Sequence, residues 1–347
     1  MKILYASQLS PNDSALYRLW ALECLGHTVV PVNLLDYLPR NPLLRKLEHR
    51  AQMGTNVARL NRDLLALAAA EKPDVFWADK LLGLRPVTLE HLRTHGIATI
   101  SYMIDNAFGP RRDPGWRLYL KCIPLFDLHA VQRDKNLADY TAHGARNVIK
   151  IQTAFEPTVH FPPPPGFFPT GSHDSVRNRG VSFIGTPYDM RAEFLTKLWR
   201  DFAVPIVVSG NQVWRKHLAP NVAAAIYTGG ELFGADYREA IWRSKINLSF
   251  LTHSNEDEFA HKSFEIAACG GFLLAERSPG HAARFREDEE AVFFTGIDEC
   301  AAKIRRYLPD EAARERIAAA GHVRAIRDDY DNDTQVSRIL ARLAEIS

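Results

Sequence analysis

Four cysteines in 347 residues, none of them in a CxxC pair, leave no material for a disulfide scaffold or a four-thiolate zinc site. Cys24, Cys122, Cys269 and Cys300 are scattered, and such sparing use suits a reducing, cytoplasmic compartment. No apolar run approaches the roughly 18 residues that span a bilayer. The opening MKILYASQLS has neither a long apolar core nor a cleavage site, so no secretory signal is expected. A dominant charge sign is also missing. The 43 Lys and Arg face 41 Asp and Glu, a net of +2, which gives no general pull toward nucleic acid. His91, His95, His129 and His143 show no HExxH or paired ligand spacing. The acidic DDYDND at 328–333 lacks the glycine and terminal glutamate of a calcium loop and reads as a solvated hinge. No metal site and no cofactor are therefore expected.

What is present is ordinary for a globular protein: 46% hydrophobic and 24% charged residues. The length favours two domains, each able to bury a core. MKILYA at 1–6 reads as a buried strand, a helix follows over 15–25 until Gly26 stops it, and HTVVPVN at 27–33 is the next strand. A long helix is expected over 43–71. Strands at 73–78, 97–103, 125–131 and 148–152 alternate with helices at 87–95 and 136–143. HFPPPPGFFPTG at 160–171 then places five prolines and two glycines in twelve residues, which neither a helix nor a central strand tolerates. A second series follows, with strands at 181–184, 205–209, 223–227, 246–250, 272–275 and 292–294. Its helices fall at 191–202, 237–244, 261–268, 297–308 and 309–326, and a terminal helix at 334–346. Strands alternating with helices imply α/β domains with doubly wound parallel sheets. The expected division is 1–165, 175–330, and a C-terminal segment 331–347 packing back on the first domain.

Ligands in such folds bind beyond the C-terminal ends of strands, and with two domains the default site is the cleft between them. The richest post-strand segment is SFLTHSNEDEFAHKSFEIAACGGFLLAERSP, 249–279. Its polar loop carries Asn255, Glu256, Asp257, Glu258, His261 and Lys262 before a helix that Cys269-Gly270-Gly271 stops. Lys262 and the N–H groups of that helix start, at His261, Lys262 and Ser263, suit a diphosphate. Glu265 is placed to accept from ribose hydroxyls, and Asp257 to hold a sugar hydroxyl. The competing reading is a capped helix with a solvated acidic loop. Gly185-Thr186 and Arg191, in the loop after 181–184, let backbone and charge approach a phosphate, or form a plain βα turn. Asn211 and Thr228-Gly229 end two further strands, and a glycine-rich loop alone is weak evidence. In the first domain Ser10, Asp13, Arg18, Asp105 and Asn106 would face an acceptor. Asp13 and Asp105 are the candidates for a general base if transfer inverts configuration; Asp13 is equally a helix cap.

The block SFEIAACGGFLLAERSPGHAARFREDEEAVFF, 263–294, resembles the CgeB-like (spore-maturation-type) branch of GT-B glycosyltransferases. The resemblance extends in order through LSPNDSALYR, PDVFWADK, SYMIDN, PLFDLHAVQRDKN, VSFIGTPYDMR and KINLSF. It implies a GT-B fold of two Rossmann-like domains, a nucleotide-sugar donor in the second domain, a glycan, lipid-linked, protein or small-molecule acceptor at the first, and no dissociable metal. By the same resemblance Glu265 matches the acid that binds the donor ribose, and Asp257 its acidic partner, with Glu258 adjacent. Lys262 stands where the branch often has Arg, which removes a bidentate phosphate grip.

Rival readings remain on the sequence: a GT-B epimerase acting without acceptor, or a non-catalytic nucleotide-sugar-binding or coat-assembly protein. A phosphorylase would need a pyridoxal lysine, which no segment suggests. Residues 1–165 hold 20 Lys and Arg against 15 Asp and Glu. Within them 40–62 is basic and amphipathic, compatible with peripheral contact to anionic lipid and with an ordinary solvent-facing helix. Nucleic acid is not an expected partner.

Overall fold

The computed structural model describes every residue except 12, 111, 112 and 347. The chain divides into two compact units, Met1–Thr153 with Asn332–Ser347, and Ala154–Asp331. The proline-rich stretch at 160–171 thus lies inside the second unit.

The first unit is a six-stranded sheet of β1 (Lys2–Ser7), β2 (Thr28–Asn33), β3 (Val75–Asp79), β4 (Ala98–Met103), β5 (Leu128–Val131) and β6 (Val148–Lys150), in the order β2-β1-β3-β4-β5-β6. Every pairing is parallel. Its helices are α1 (Ser14–Cys24), α2 (Pro42–Ala51), α3 (Thr55–Glu71), α4 (Pro86–Thr94), α5 (Trp116–Cys122) and α6 (Asp134–Ala142). Both sheet faces are covered, as the twofold alternation of strand side chains requires. Ile3 and Tyr5 of β1 and Trp77 of β3 pack with Leu19 and Leu22 of α1 and with Val336, Ile339 and Leu343 of the C-terminal helix. Leu4 and Ala6, and Phe76 and Ala78, face the other way onto Leu60 and Leu64 of α3 and Leu89 and Leu92 of α4.

The second unit holds β7 (Val181–Ile184), β8 (Ile206–Ser209), β9 (Ile246–Ser249), β10 (Leu273–Glu276) and β11 (Val292–Phe294), ordered β11-β10-β9-β7-β8 and again parallel. Its helices are α7 (Arg191–Phe202), α8 (Trp214–His217), α9 (Pro220–Ile226), α10 (Gly234–Trp242), α11 (His261–Ala268), α12 (Pro279–Ala282), α13 (Ile297–Tyr307) and α14 (Glu311–Arg327); α15 (Asn332–Ile346) then belongs to the first unit. Phe183, Val208, Leu248 and Leu274 face Leu195 and Leu198 of α7 and Ile304 of α13. Ile184, Leu273 and Ala275 face Ile241 of α10 and Phe264 and Ile266 of α11.

Two expectations fail locally. The long helix over 43–71 is two helices, because Gln52 is left-handed at φ 53° and Gly54 sits at φ 138°. Glycine suits the turn because that φ is one L side chains rarely adopt, and a Cβ at Gly54 would also press on the Glu48 side chain, 2.2 Å from its Oε1. The strand expected at 223–227 is helix α9 instead. Pro220 opens it at a first-turn position, Val222 and Ile226 bury one face, and only Tyr227 keeps a β-bridge, to Val208.

Candidate functional site

In a doubly wound sheet the crevice opens where strand order reverses. In the second unit that point lies between β7 and β9, since β7 has β8 on one side and β9 on the other. Gly185 and Thr186 follow β7 directly, and Arg191 begins α7. Its guanidinium bridges the two strand ends: Nη1 donates to Thr186 O at 3.2 Å, and Nη2 to Leu251 O at 2.9 Å and Thr252 Oγ1 at 3.0 Å. Arg191 is therefore engaged by two backbone carbonyls and the Thr252 hydroxyl.

Next to it stands the start of α11. Lys262 Cε would lie 3.3 Å from a Cβ at Gly185, so the absence of a side chain there admits the lysine. Gly210, after β8, is packed still closer, because its Cβ would meet Gly185 O at 2.1 Å and Trp214 Nε1 at 2.7 Å. Trp214 Nε1 donates to Gly185 O at 2.7 Å, and Gly210 N to Gly230 O at 2.9 Å. Gly229 and Gly230 hold φ of 78° and 75°, conformations that suit glycine. Asn211 accepts from Val213 N through Oδ1, and the Thr228 hydroxyl donates to Val208 O at 3.1 Å. Loops after β7, β8 and α9 and the N-terminus of α11 thus meet at one edge of the sheet.

Glu265 is the electrostatic centre of that edge. Tyr237 of α10 donates its hydroxyl to Oε2 at 2.6 Å, and His261 Nε2 lies 2.9 Å from Oε1. His160 Nε2 approaches Oε1 at 3.6 Å, and Lys262 Nζ lies 3.9 Å from Oε2 and 4.6 Å from the Tyr237 ring centroid. Burial alone would raise the Glu265 carboxyl. The imidazoles of His261 and His160 and the Lys262 ammonium outweigh it and hold the group well below the ordinary carboxylate range. Burial pushes His160 down to about 4. Its Nδ1 accepts the Glu156 N–H at 3.0 Å, so the neutral ring carries its proton on Nε2, facing Glu265. Burial also lowers Lys262, with Glu265 opposing that shift. Only 8% of the Glu265 side chain is exposed, against 31% for His261 and 35% for Lys262, so the cluster opens to solvent on one side.

The other candidates of this segment are placed differently. The Ser263 hydroxyl turns inward, 2.9 Å from Ser249 Oγ and 3.0 Å from His281 Nε2. His281, fully buried, donates from Nδ1 to Glu276 O at 2.7 Å and accepts from Ala260 N, which fixes the loop leading into α11. Asp257 accepts from Asn255 Nδ2 at 2.8 Å and from Thr252 N at 3.3 Å. Glu258 is half-buried, and its carbonyl accepts from Ser278 Oγ at 2.6 Å. Tyr237, His160, His281 and Trp214 carried no signal in the sequence, since each joins the cluster only through the fold.

The first unit has its own reversal, between β1 and β3, and a cavity of about 630 Å³ lies there. Ser7, Gln8, Asp13, Arg18, Asp79 and Lys80 line it, with apolar walls from Leu34, Leu60 and Ile104. Arg18 is buried and paired with Asp79, Nε to Oδ2 at 2.6 Å and Nη2 to Oδ1 at 3.1 Å, and it stacks 4.2 Å from the Tyr102 ring centroid. Asp13 stands at the N-cap of α1 without a side-chain cap bond, and takes the Ser10 hydroxyl at 2.5 Å and Gln8 Nε2 at 3.0 Å. Asp105 pairs with Lys80 at 2.7 Å. Asn106 is buried and accepts from Asn136 Nδ2 at 2.9 Å and Phe108 N at 3.1 Å, an internal role.

Among the described residues one trio, His173, Glu311 and Glu315, brings ligand atoms within 4.8 Å of one another. Its carboxylates are already engaged, Glu311 by Ser172 and the backbone N–H groups of His173 and Asp174, and Glu315 by Arg177.

A family model described as glycosyl transferase-like matches residues 191–341, from α7 into α15. No protein of curated function matches in sequence. Solved structures match over the whole chain. Anabaena HepE in complex with UDP-glucose is 15% identical with a TM-score of 0.69, covering 99% of this chain and 100% of that one. Sucrose-phosphate synthase from Thermosynechococcus elongatus is 12% identical with a TM-score of 0.69, covering 100% of both chains. The trehalose-6-phosphate synthase OtsA is 15% identical with a TM-score of 0.67, covering 100% of both. At these identities the likeness speaks to the fold, which is GT-B. The glycosyl transferase-like match spans less than half of the chain.

Proposed function

We propose that this GT-B protein transfers a sugar from a nucleoside-diphosphate donor held in the second unit to an acceptor hydroxyl held at the first unit's cavity, within the CgeB-like branch. The observation that carries the reading is the Glu265 cluster: a buried, ionised carboxylate beside Lys262 at a helix start, next to two glycine-backed loops at the switch point. A carboxylate accepts only, so its natural ligand partners are the vicinal hydroxyls of a ribose. The α11 N-terminus and Lys262 suit the diphosphate, and the side-chain-free backbone at Gly185 lets phosphate oxygens approach. UDP-glucose in HepE is consistent with this class of donor.

In the transfer the acceptor oxygen bonds to the anomeric carbon as the bond to the diphosphate oxygen breaks. Positive charge develops on the sugar and negative charge on the departing diphosphate. Lys262 and the helix start stabilise that negative charge, so the donor site supplies its own cations and the reaction is proposed to need no added divalent ion. The acceptor proton passes to Asp13 or Asp105 if configuration inverts, or to a donor phosphate oxygen if it is retained. Asp257, near Arg191, would take a sugar hydroxyl.

Calorimetric titration with UDP, GDP, ADP, CMP and dTDP tests this. One nucleotide should bind, and Glu265→Gln should weaken it by about tenfold or more, the worth of a charged hydrogen bond, while the variant still unfolds cooperatively at a lowered midpoint. Binding of none of the five by the wild type, or full binding by Glu265→Gln, would overturn the donor-site assignment. Donor conversion without any acceptor would point to an epimerase.

A further inference from the structure

Helix α2 inverts the usual amphipathic arrangement. Glu48 is its one buried residue, turned inward to meet Asn56 Nδ2 at 3.1 Å. Its leucines point outward: Leu43 is 70% exposed, Leu47 64% and Leu44 44%, and Met53 just beyond it is 64% exposed. Leu43 and Leu47, four residues apart, share one outer face. Arg40, Lys46 and Arg50 are exposed around them. From 38 to 62 the chain carries six Lys and Arg and a single acid, Glu48. The helix is capped by Asn41, whose Oδ1 accepts from Leu43 N and Leu44 N, and ended by left-handed Gln52.

We propose that α2 docks this protein on an anionic lipid surface, with Leu43, Leu47 and Met53 entering the headgroup boundary and Arg40, Lys46 and Arg50 meeting lipid phosphates. Exposed leucines ringed by cations are the signature of a helix lying in a membrane interface. A second copy of the chain is a poorer occupant. A twofold contact sets each face against itself, and would oppose these cations with no exposed acid between 38 and 62 to pair them. No helix among the described residues is long and apolar enough to cross a membrane; α2 would lie along the surface. The inference stands apart from the donor-site reading. If the first unit's cavity is the acceptor site, a consequence follows. Arg45, Lys46, His49 and Gln52 line that cavity as well, so docking would bring a lipid-borne acceptor to its rim.

The test is co-sedimentation of the full chain with vesicles of phosphatidylcholine alone, or with about 30% phosphatidylglycerol. The wild type should sediment with the anionic vesicles only and be released at about 0.5 M salt, where the Debye length falls to a few ångströms. Leu43→Ser/Leu47→Ser should bind about tenfold more weakly, and Arg40→Glu/Arg50→Glu about twentyfold. Unfolding midpoints matching the wild type show that both variants fold; if one does not, the other decides. Equal binding to neutral vesicles, no binding to either, or unchanged binding by a folded variant overturns the proposal. So does a dimer abolished by Leu43→Ser/Leu47→Ser without vesicle binding, which would assign the face to a second copy.

Discussion

Lowering the pH from about 7 to about 5 should remove roughly 5 kcal/mol of folding stability, before most carboxylates titrate. The source is three histidines buried in neutral form, His129, His160 and His281, each pushed by burial down to about 4 from an ordinary 6.5. Their hydrogen bonds explain why the proton is resisted. His281 already accepts the Ala260 N–H on Nε2, and His160 the Glu156 N–H on Nδ1. His129 donates Nε2 to Ile123 O at 2.9 Å and would bury an unpaired Nδ1 proton. Between about pH 6.5 and 4 the unfolded chain binds three more protons than the folded one, so stability falls as pH falls. Each site contributes about 2 kcal/mol over the two pH units, and the slope approaches about 4 kcal/mol per unit near pH 5. Glu265 acts at lower pH. Its carboxyl is held well below the ordinary 4.5, so its contribution is present above about 4.5 and lost as pH falls further. Urea titrations followed by the fluorescence of the six tryptophans measure this directly. His129→Gln keeps a donor for Ile123 O but cannot titrate, and should remove about a third of the slope. If the units unfold separately, the first should take up one proton equivalent and the second two. A stability flat between pH 7 and 5, or a His129→Gln slope equal to the wild type, would refute the reasoning.

Gly210→Ala should lower the unfolding temperature by about 5 °C or more, because its Cβ would overlap Gly185 O at 2.1 Å and displace the Trp214 bond; a midpoint within a degree of the wild type would mean the loops yield freely. Tyr237→Phe removes the hydroxyl that meets Glu265 at 2.6 Å, and should cost about 1.5–3 kcal/mol in urea unfolding at neutral pH. A value near zero would show that His261 and Lys262 suffice for the buried charge.

The alternation of strands and helices was legible because parallel strands buried on both faces read as short apolar runs. VFWAD and VSFI are such runs, entirely buried. The break inside 43–71 was not legible, since apolar residues keep helical spacing across it. Only the fold shows that Glu48 turns inward and leaves no room beside Gly54. The helix at α9 carried a signal, Pro220 at a first-turn position, that outweighs the strand-like AIY at its end. Helix α5 was missed because seven residues between turns give too short a window for periodicity.

For the site, the legible part is what lies at the end of a strand. Gly185, Arg191, Lys262 and Glu265 follow apolar runs directly, and two-domain α/β logic directs attention there. What could not be read is which side chains from elsewhere complete the cluster. His160 comes from the proline-rich stretch and Tyr237 from another helix, and both reach Glu265 across more than 25 residues of chain. Their arrangement bears on what the carboxylate is for. A carboxylate kept purely for structure is best served by rigid partners and full enclosure, since any opening to water weakens the pairing. Glu265 has one enclosed flank, made by Tyr237 and His160, and one open flank, made by His261 and Lys262, whose side chains are 31% and 35% exposed. Folding alone gains nothing from leaving that flank open. A ligand with hydroxyls to donate and phosphates to place would complete it, and this asymmetry, more than the motif, argues that the cluster serves binding.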